Sequence, residues 1–379
     1  MSSRNIRLSR SIVGKLESEA VSNVIEQSGY LGMGDEVRLF EAEIAEYLGV
    51  EPWMVTCVST GTAALHLALE CSLPAGSEVL IPSLTFVASF QAALQANLKP
   101  IACDVNLDTG LLDLADAQQR ITPNTGAVMP VHYASNPALC EYIYDFAKRH
   151  ELRVIEDAAH AFGCSFNGKK IGAFGDIVCF SFDGIKNITS GEGGAIVTSD
   201  REVARLVKDA RLLSVENDTE KRFQGKRSWD PDVKRRGWRY HMSNIMAAIG
   251  RTQLRRLDGE FAPARREMAN LYRKRLAQVP GVELLKMDMQ NIIPHIHPVR
   301  ILGGKLKTLT GMLEQAGIPT GSHYKPNHQL TLFGGGKQHL PVSEQLIGEL
   351  LTLPLHPGLK MEDIEFICAT LIEALGKLK

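Results

Sequence analysis

Short apolar runs alternate with helical repeats between residues 50 and 200, and this alternation predicts the fold. The apolar runs typical of strands cover residues 78–81, 99–104, 127–131, 153–156, 177–182 and 194–199. The helical repeats cover residues 63–71, 89–96 and 138–150. Strands that alternate with helices predict βαβ units, and so an α/β fold with a mostly parallel sheet between helices. Ligands of such sheets bind at the carboxyl ends of the strands.

The second half of the chain changes character at Pro280-Gly281. Residues 201–240 are dense in charge and are interpreted as a solvated loop. The regular patterns that follow cover residues 243–278 (one long helical repeat), 295–301 (a strand), and 306–316 and 361–378 (helices). We therefore predict a large domain at 1–250 and a smaller C-terminal α/β domain at 251–379 that includes the long connecting helix.

Composition excludes several classes of protein. The 379 residues contain 42 Lys and Arg against 43 Asp and Glu, and a net charge of −1 gives no bulk attraction to nucleic acid or to a membrane surface. No apolar run approaches the ~18 residues that a membrane span needs, and the polar start of the chain shows no signal peptide. Seven scattered cysteines without a CxxC spacing predict a reduced, cytoplasmic protein, and no metal site is predicted.

Lys186 follows the predicted strand 177–182 and precedes the glycine cluster Gly191-Glu192-Gly193-Gly194. A lysine after a strand is most often a surface residue. The glycines, however, let the backbone turn tightly and approach a ligand. A lysine screened from water is neutral enough to attack a carbonyl and form an imine, so Lys186 is the candidate nucleophile.

Two adjacent carboxylates, Glu156 and Asp157, end the predicted strand 153–156. Alternation along a strand sends them to opposite faces, so only one faces a given pocket. Asp157 either caps the next helix or lies against a pyridine nitrogen and keeps it protonated, so that the ring acts as an electron sink. His160, three residues further on, is expected on the same helical face, although an isolated histidine is more often structural.

Two further patterns lie at the ends of predicted strands. Residues 59–63 (Ser-Thr-Gly-Thr-Ala) are predicted to be an N-cap and also a phosphate cradle, to which Ser181 adds a hydroxyl. Phe86 is either a core residue or a face that stacks on a flat ring. An imine lysine, a pyridinium partner, a phosphate cradle and a stacking face on one sheet edge predict a pyridoxal phosphate site.

These motifs resemble the DegT/DnrJ/EryC1/StrS family of sugar aminotransferases from about Gly29 to the C-terminal helix. The most specific matches are residues 156–161 (Glu-Asp-Ala-Ala-His-Ala) and Lys186-Asn187 with the glycine cluster that follows. The resemblance implies the fold of type I pyridoxal-phosphate-dependent transferases, with a mixed, mostly parallel seven-stranded sheet. It also implies homodimers with the active site at the interface.

The resemblance also assigns roles to individual residues. Lys186 would form the internal aldimine, Asp157 would pair with the pyridine nitrogen, and His160 would reach the ring hydroxyl. The remaining residues implied in cofactor binding are Gly61, Thr62, Ala63, Phe86 and Ser181. The residues implied on the substrate side are Tyr30, His323, Tyr324 and His328.

The chain departs from the family at the residue that reaches the phosphate from the neighbouring subunit. The family usually has Gly-Tyr-Asn-Tyr-Arg-Met, and this chain has Gly237-Trp238-Arg239-Tyr240-His241-Met242. Arg239 takes the place of the asparagine, and an arginine binds phosphate more strongly than an amide does. The basic residues between Glu216 and Lys234 offer a second contact, with a nucleotide diphosphate.

The predicted reaction is a ping-pong transamination. Glutamate gives its nitrogen to the cofactor, and the resulting pyridoxamine phosphate aminates a nucleotide-linked keto-sugar, expected to be a 4-keto-6-deoxyhexose aminated at C4, for O-antigen or other surface polysaccharide synthesis. One rival is a sugar dehydratase of the same family, in which histidine replaces the lysine; Lys186 favours transamination. A second rival is a non-catalytic ligand-sensing protein, against which the intact Lys186 and Asp157 argue.

Overall fold

A seven-stranded sheet forms the centre of the larger part of the protein, in a computed structural model that describes residues 6–216, 218–224, 226 and 232–378. The strands of this part are β1 (Val55–Val58), β2 (Glu78–Pro82), β3 (Lys99–Cys103), β4 (Thr125–Val128), β5 (Arg153–Asp157), β6 (Ser165–Phe166), β7 (Lys169–Lys170), β8 (Ile177–Ser181) and β9 (Gly194–Thr198). The strands β6 and β7 form a separate antiparallel pair.

The strand order of the large sheet is β1-β9-β8-β5-β4-β2-β3. The neighbours from β3 to β8 pair in parallel, and β9 is antiparallel to both β8 and β1. The mixed, mostly parallel sheet that the sequence predicts is therefore confirmed. The strand expected at 127–131 is shorter, because Pro130 has no N–H with which to continue the ladder.

The helices of this part pack on the sheet. They are α1 (Lys15–Asn23), α2 (Asp35–Leu48), α3 (Gly61–Ser72), α4 (Val87–Gln95), α5 (Leu114–Gln119), α6 (Ile143–Arg149), α7 (Arg201–Ala210) and α8 (Asp218–Phe223). The single helix expected at 138–150 is instead a 3₁₀ turn, Ala138–Glu141, followed by α6. Tyr142, whose φ of −122° is not helical, separates the two.

The interpretation of residues 201–240 as a loop is wrong for α7 and α8. Asp200 caps α7 by accepting hydrogen bonds from the N–H groups of Glu202 and Val203. The helix buries a stripe at the spacing of helical turns, formed by Val203, Ala204, Val207 and Ala210. That stripe was the available signal, and the surrounding charge obscured it. Residues 217, 225 and 227–231 of this segment lie outside the described residues.

The rest of the chain forms the long helical segment and, after it, a second layer. The elements of the long segment are α9 (Asn244–Arg256), a π-helical turn (Leu257–Phe261) and α10 (Ala262–Leu276). The elements after it are β10 (Val282–Leu284), β11 (His297–Ile301), α11 (Leu306–Gln315), α12 (Pro341–Ile347), β12 (Leu350–Leu353) and α13 (Met361–Lys377). The single helix expected at 243–278 thus contains a π turn. Ala247 and Leu254 pack into the core that contains Phe40, whereas Met268 and Tyr272 pack into the core of the second layer.

The chain therefore passes from the core that contains Phe40 to the core of the second layer within α10, about a dozen residues after position 250. The domain boundary at 250 stays a prediction.

Among the described residues, no helix is both long and apolar enough to cross a bilayer. All seven cysteines are free thiols.

Candidate active site

A cavity of about 550 Å³ opens at the carboxyl ends of β1, β2, β5 and β8. The loops that follow these strands meet there because the strands run in the same direction. Nine of the residues singled out from the sequence line it: Gly61, Thr62, Phe86, Asp157, His160, Ser181, Lys186, His323 and Tyr324. Residues up to 263 positions apart in the chain, from Gly61 to Tyr324, are thus brought together in one site.

Lys186 lies in a tight turn after β8, where its backbone N–H donates a 3.1 Å hydrogen bond to the carbonyl of Asp183. Within the described part of the chain, the lysine amine makes no hydrogen bond or salt bridge. Burial lowers the pKa of Lys186, and the carboxylates of Asp157 and Asp183 oppose that shift. The amine is therefore more easily deprotonated than a surface lysine, as a nucleophile or a proton carrier requires.

Asp157 is the last residue of β5 and is 5% exposed. Its Oδ2 accepts a 2.7 Å hydrogen bond from the Ser89 hydroxyl, and its Oδ1 accepts one of 3.2 Å from the N–H of Ala159. Glu156 lies on the other face, bonded to His132 at 2.7 Å and to Tyr144. The two carboxylates point to opposite faces, as strand alternation predicts. No helix follows, so Asp157 caps a turn rather than a helix.

His160 lies on the cavity wall, although the helical geometry expected for it is wrong. The segment after Asp157 is a series of turns that reverses at Gly163, whose φ is +84°. His160 Nε2 is 3.0 Å from the hydroxyl of Tyr324, and its Nδ1 is buried without a hydrogen-bond partner among the described residues. Burial holds the pKa of His160 well below its usual value, with Lys186 and other nearby cationic groups adding to the shift. The imidazole is therefore neutral.

The start of α3 forms an anion cradle. Thr60 is the N-cap, and its hydroxyl oxygen accepts a 3.0 Å hydrogen bond from the N–H of Ala63. The N–H groups of Gly61 and Thr62 have no acceptor within the helix. A Cβ added at Gly61 would lie 2.6 Å from Cβ of Ser181, so only glycine lets the helix start approach that hydroxyl. Ala63, in contrast, is buried and its N–H is occupied by the cap.

Phe86 stands at the mouth of the cavity as the N-cap of α4 and is 55% exposed. Its ring centroid lies 5.7 Å from that of Tyr324. A phenylalanine this exposed is not a core residue, and it offers a ring face to the cavity. His295, which the sequence patterns did not single out, lies behind this wall with its ring 4.4 Å from that of His160.

Three other candidates lie outside the cavity wall. Tyr30 is 39% exposed, and its carbonyl accepts a hydrogen bond from Asn244. His328 is fully buried between Ser83, at 2.7 Å, and Glu344, at 3.2 Å. This bonding makes His328 a structural histidine within the chain. Arg239 is exposed and pairs with Leu212 in a β-bridge.

Three polar residues of the site were missed by sequence reasoning. Ser89 orients Asp157, and Asp183 and Glu192 line the cavity on either side of Lys186 in the sequence. Asp183 and Glu192 lie inside the motif around Lys186, so their proximity to it was the available signal. Nothing in the sequence connects Ser89 with a residue 68 positions away.

The donor set fits the phosphorylated pyridine aldehyde that the family resemblance implies. Among the described residues, the cavity offers an amine without a partner, a buried carboxylate, and a helix start that has no room for a Cβ. The buried Nδ1 of His160 also lacks a partner within the described structure. Together these groups match an aldehyde, a pyridine nitrogen and a phosphate, which are the functional groups of pyridoxal phosphate.

This fold, with its lysine turn and helix-start cradle at one sheet edge, defines the class of type I pyridoxal-phosphate-dependent transferases. Within that class, the chain belongs to the DegT/DnrJ/EryC1/StrS aminotransferase family, whose model matches residues 12–372. It is therefore an enzyme of the aminotransferase type.

Curated relatives and solved structures agree with this assignment. The chain is 34% identical over 369 residues to a dTDP-4-dehydro-2,3,6-trideoxy-D-glucose 4-aminotransferase of Saccharopolyspora spinosa, covering 96% of this chain and 94% of the relative. It is also 34% identical to GDP-perosamine synthase of Escherichia coli O157:H7, covering 96% of each chain. The crystal structure of the aminotransferase TlmJ from Streptoalloteichus hindustanus superposes with a TM-score of 0.91 at 29% identity, over 99% of this chain and 100% of that one.

Proposed function

We propose that this protein uses pyridoxal phosphate to transfer an amino group from glutamate to a keto-sugar linked to a nucleotide diphosphate. The observation that carries the proposal is the partnerless amine of Lys186 in one cavity with Asp157 and the start of α3, among the described residues. The names of the two curated relatives support the sugar class, since one is a dTDP-sugar aminotransferase and the other makes GDP-perosamine. The first is a 4-aminotransferase, which supports amination at C4.

Each residue of the cavity has a defined task in this reaction. Pyridoxal phosphate, when bound, supplies a carbonyl that carries the amino group and a ring that stabilises negative charge on carbon. Asp157, fixed by Ser89, holds a proton on the ring nitrogen. Lys186, as a neutral amine, takes a proton from the substrate carbon and returns it after transfer. Neutral His160 donates or accepts a hydrogen bond at the ring hydroxyl.

The remaining contacts orient the cofactor. The N–H groups of Gly61 and Thr62 and the hydroxyl of Ser181 bind the phosphate, helped by the positive end of α3. Phe86 would stack on the cofactor ring, and His323 and Tyr324, which line the same cavity, would contact the sugar.

The proposal includes a homodimer in which the partner subunit's Arg239 reaches the phosphate. Charge supports it: among the described residues that line the cavity, Lys186 is the single lysine or arginine, against Asp157, Asp183 and Glu192. A phosphate and an amino donor with two carboxylates need more positive charge than one lysine supplies. Mixing inactive Lys186→Ala subunits with inactive Arg239→Ala subunits should restore partial activity, since mixed dimers then contain one intact site. Mixtures as inactive as either variant would contradict a shared site.

The test of the reaction combines purified protein, pyridoxal phosphate, glutamate and candidate 4-keto-6-deoxyhexoses linked to dTDP, UDP or GDP. We expect 2-oxoglutarate and aminated sugar to form in equal amounts. Lys186→Ala should abolish both turnover and the visible absorption band of the cofactor-loaded protein, whereas Lys148→Ala, on the exposed face of α6, should not. Full turnover by Lys186→Ala would refute the assignment.

The same assay separates the two rivals. A dehydratase would consume sugar without releasing 2-oxoglutarate in proportion, and a ligand sensor would take up cofactor without turnover. The retained Lys186 and membership in an aminotransferase family favour transfer. Surface polysaccharide synthesis in the cytoplasm is the biological setting we propose, and seven free thiols fit a reducing compartment.

A further inference from the structure

We propose that Asp183 is a positioning residue for Lys186: its carboxylate fixes the turn that carries the lysine and acts as the counter-charge that stabilises the protonated amine. The inference rests on the proposed function to the extent that Lys186 is the catalytic lysine. Neither the patterns in the sequence nor the family resemblance assigns a role to Asp183.

Asp183 closes and stabilises the turn that carries Lys186. The N–H of Lys186 donates a 3.1 Å hydrogen bond to the carbonyl of Asp183, which closes a four-residue turn. The N–H of Ile185 donates a 3.3 Å hydrogen bond to Oδ1 of Asp183, and the N–H of Asp183 is 3.4 Å from Oγ of Ser181. One carboxylate oxygen therefore braces the turn from within, as aspartate does in Asx turns.

Asp183 and Lys186 face the same space. Both line the 550 Å³ cavity. Within the described part of the chain, neither side chain belongs to a salt bridge, so the charge of Asp183 is not committed to another cation. Its charge, shared by both carboxylate oxygens, therefore faces the same cavity as the amine of a lysine three residues away.

Other charged and titratable groups surround the lysine. The titratable and charged side chains on the elements packed against it are Arg10, Asp157, His160, Glu192, Arg265, His295, His323 and Tyr324. Burial and nearby positive charge hold the pKa of His160 and of His295 well below the usual value, so these imidazoles are neutral. Arg265 is a buried cation bonded to backbone carbonyls, and it offers no negative charge.

Among the described groups, the carboxylates of Asp157 and Asp183 oppose the lowering of the lysine pKa that burial causes. Asp157 is bonded to Ser89 and is proposed to pair with the cofactor ring. Asp183 is then the carboxylate that remains for the lysine. Glu192 lines the same cavity without being a cause of the lysine shift, which makes it a matched comparison.

The test uses the full-length protein without cofactor. Modification of Lys186 by a limiting amount of acetic anhydride is followed by peptide mass spectrometry across a range of pH, with Lys186→Ala as the blank. Asp183→Asn keeps an oxygen for the N–H of Ile185 and removes only the charge. We expect the pH at which the amine reaches half of its full reactivity to fall by roughly 0.5 to 1 unit in Asp183→Asn. That pH should stay unchanged in Glu192→Gln.

A second measurement uses the protein loaded with pyridoxal phosphate. The pH at which its visible absorption spectrum changes should move down in Asp183→Asn and not in Glu192→Gln. Asp183→Ser, whose hydroxyl also accepts the bond from Ile185, replaces Asp183→Asn if that variant does not fold. A merely structural role would alter the melting temperature without moving either midpoint.

Equal midpoints in wild type and Asp183→Asn would overturn the inference, as would an equal shift in Glu192→Gln. The two proposals fail differently. A wild-type protein that takes up no pyridoxal phosphate would refute the proposed function, yet the shift in lysine reactivity would still be measured in the cofactor-free protein.

Discussion

Ser89 donates a 2.7 Å hydrogen bond to Oδ2 of Asp157, and it does so from α4, a helix that begins immediately after Phe86. The hydroxyl of Ser89 lies 3.1 Å from that of Thr85 in turn. A chain of two hydroxyls thus leads to the carboxylate and fixes its orientation. Because Asp157 is buried, this bond to a charged group is stronger than one at the surface.

Ser89→Ala should weaken cofactor binding while leaving the fold intact. A hydrogen bond to a charged group contributes about 1.5–3 kcal/mol, so the dissociation constant for pyridoxal phosphate should rise by roughly 10- to 150-fold. Titration followed by absorbance measures it. Ser72→Ala removes a hydroxyl that bonds only to carbonyls of its own helix, Ala68 and Leu69, and serves as the control. An unchanged affinity in Ser89→Ala would show that Asp157 is held by other contacts.

Gly61→Ala should damage the anion cradle. The added Cβ would meet Cβ of Ser181 at 2.6 Å and its Oγ at 2.9 Å, so either α3 or Ser181 has to shift. We expect a loss of affinity for both pyridoxal phosphate and inorganic phosphate, measured by calorimetry. Gly376→Ala, in α13 with open space around it, should leave affinity unchanged and raise stability slightly. Wild-type phosphate affinity in Gly61→Ala would exclude the start of α3 as the cradle.

Breaking the buried ion pair between Arg211 and Glu41 should lower the stability of the protein strongly. Arg211 is fully buried, donates to Glu41 at 2.5 Å and to the carbonyl of Cys57 at 2.6 Å, and Glu41 also accepts the N–H of Cys57 at 2.9 Å. Arg211→Met leaves Glu41 buried without its cation, which should lower the free energy of unfolding by about 3–5 kcal/mol. Denaturant unfolding measures it.

Arg205 provides the comparison for that experiment. It pairs with Glu202 and Asp209 on the exposed face of α7. Arg205→Met should cost no more than about 1 kcal/mol, because exposed ion pairs contribute little. Equal losses in the free energy of unfolding for Arg211→Met and Arg205→Met would mean that burial does not increase the contribution of the Arg211 pair.

The fold was predictable from the sequence where one pattern dominated. The apolar runs at 78–81 and 177–182 match β2 and β8 closely, because a strand buried on both faces is apolar throughout. The charged residues around α7 obscured its pattern, because the apolar stripe of this helix consists of only four residues. The π turn within the long helix and the break at Tyr142 have no local signal, since packing rather than propensity sets them.

The site was predictable to the extent that its residues follow strands. Asp157 ends β5, and Gly61 and Lys186 lie three and five residues after the ends of β1 and β8, so strands that run in the same direction bring them together. Ser89 and His295 reach the site through helix and loop packing, which no spacing in the sequence encodes. His328 resembles a site residue by its motif, yet its bonds to Ser83 and Glu344 bury it behind the wall.

Acid should destabilise the protein partly through His297. This side chain is buried, stacks on Tyr272 at 4.8 Å between ring centroids, and burial lowers its pKa from 6.5 to about 3. Between these values the unfolded chain binds a proton that the folded chain does not. The free energy of unfolding therefore falls as pH decreases through this window, by up to about 1.4 kcal/mol per pH unit for this one group.

His297→Phe keeps a ring for Tyr272 and removes the proton site. Its free energy of unfolding should fall less steeply than that of wild type between pH 6.5 and pH 5, by up to about 2 kcal/mol over that interval. Denaturant unfolding at several pH values measures both slopes. If His297→Phe kept the wild-type slope, protonation of His297 would not be what limits stability in acid.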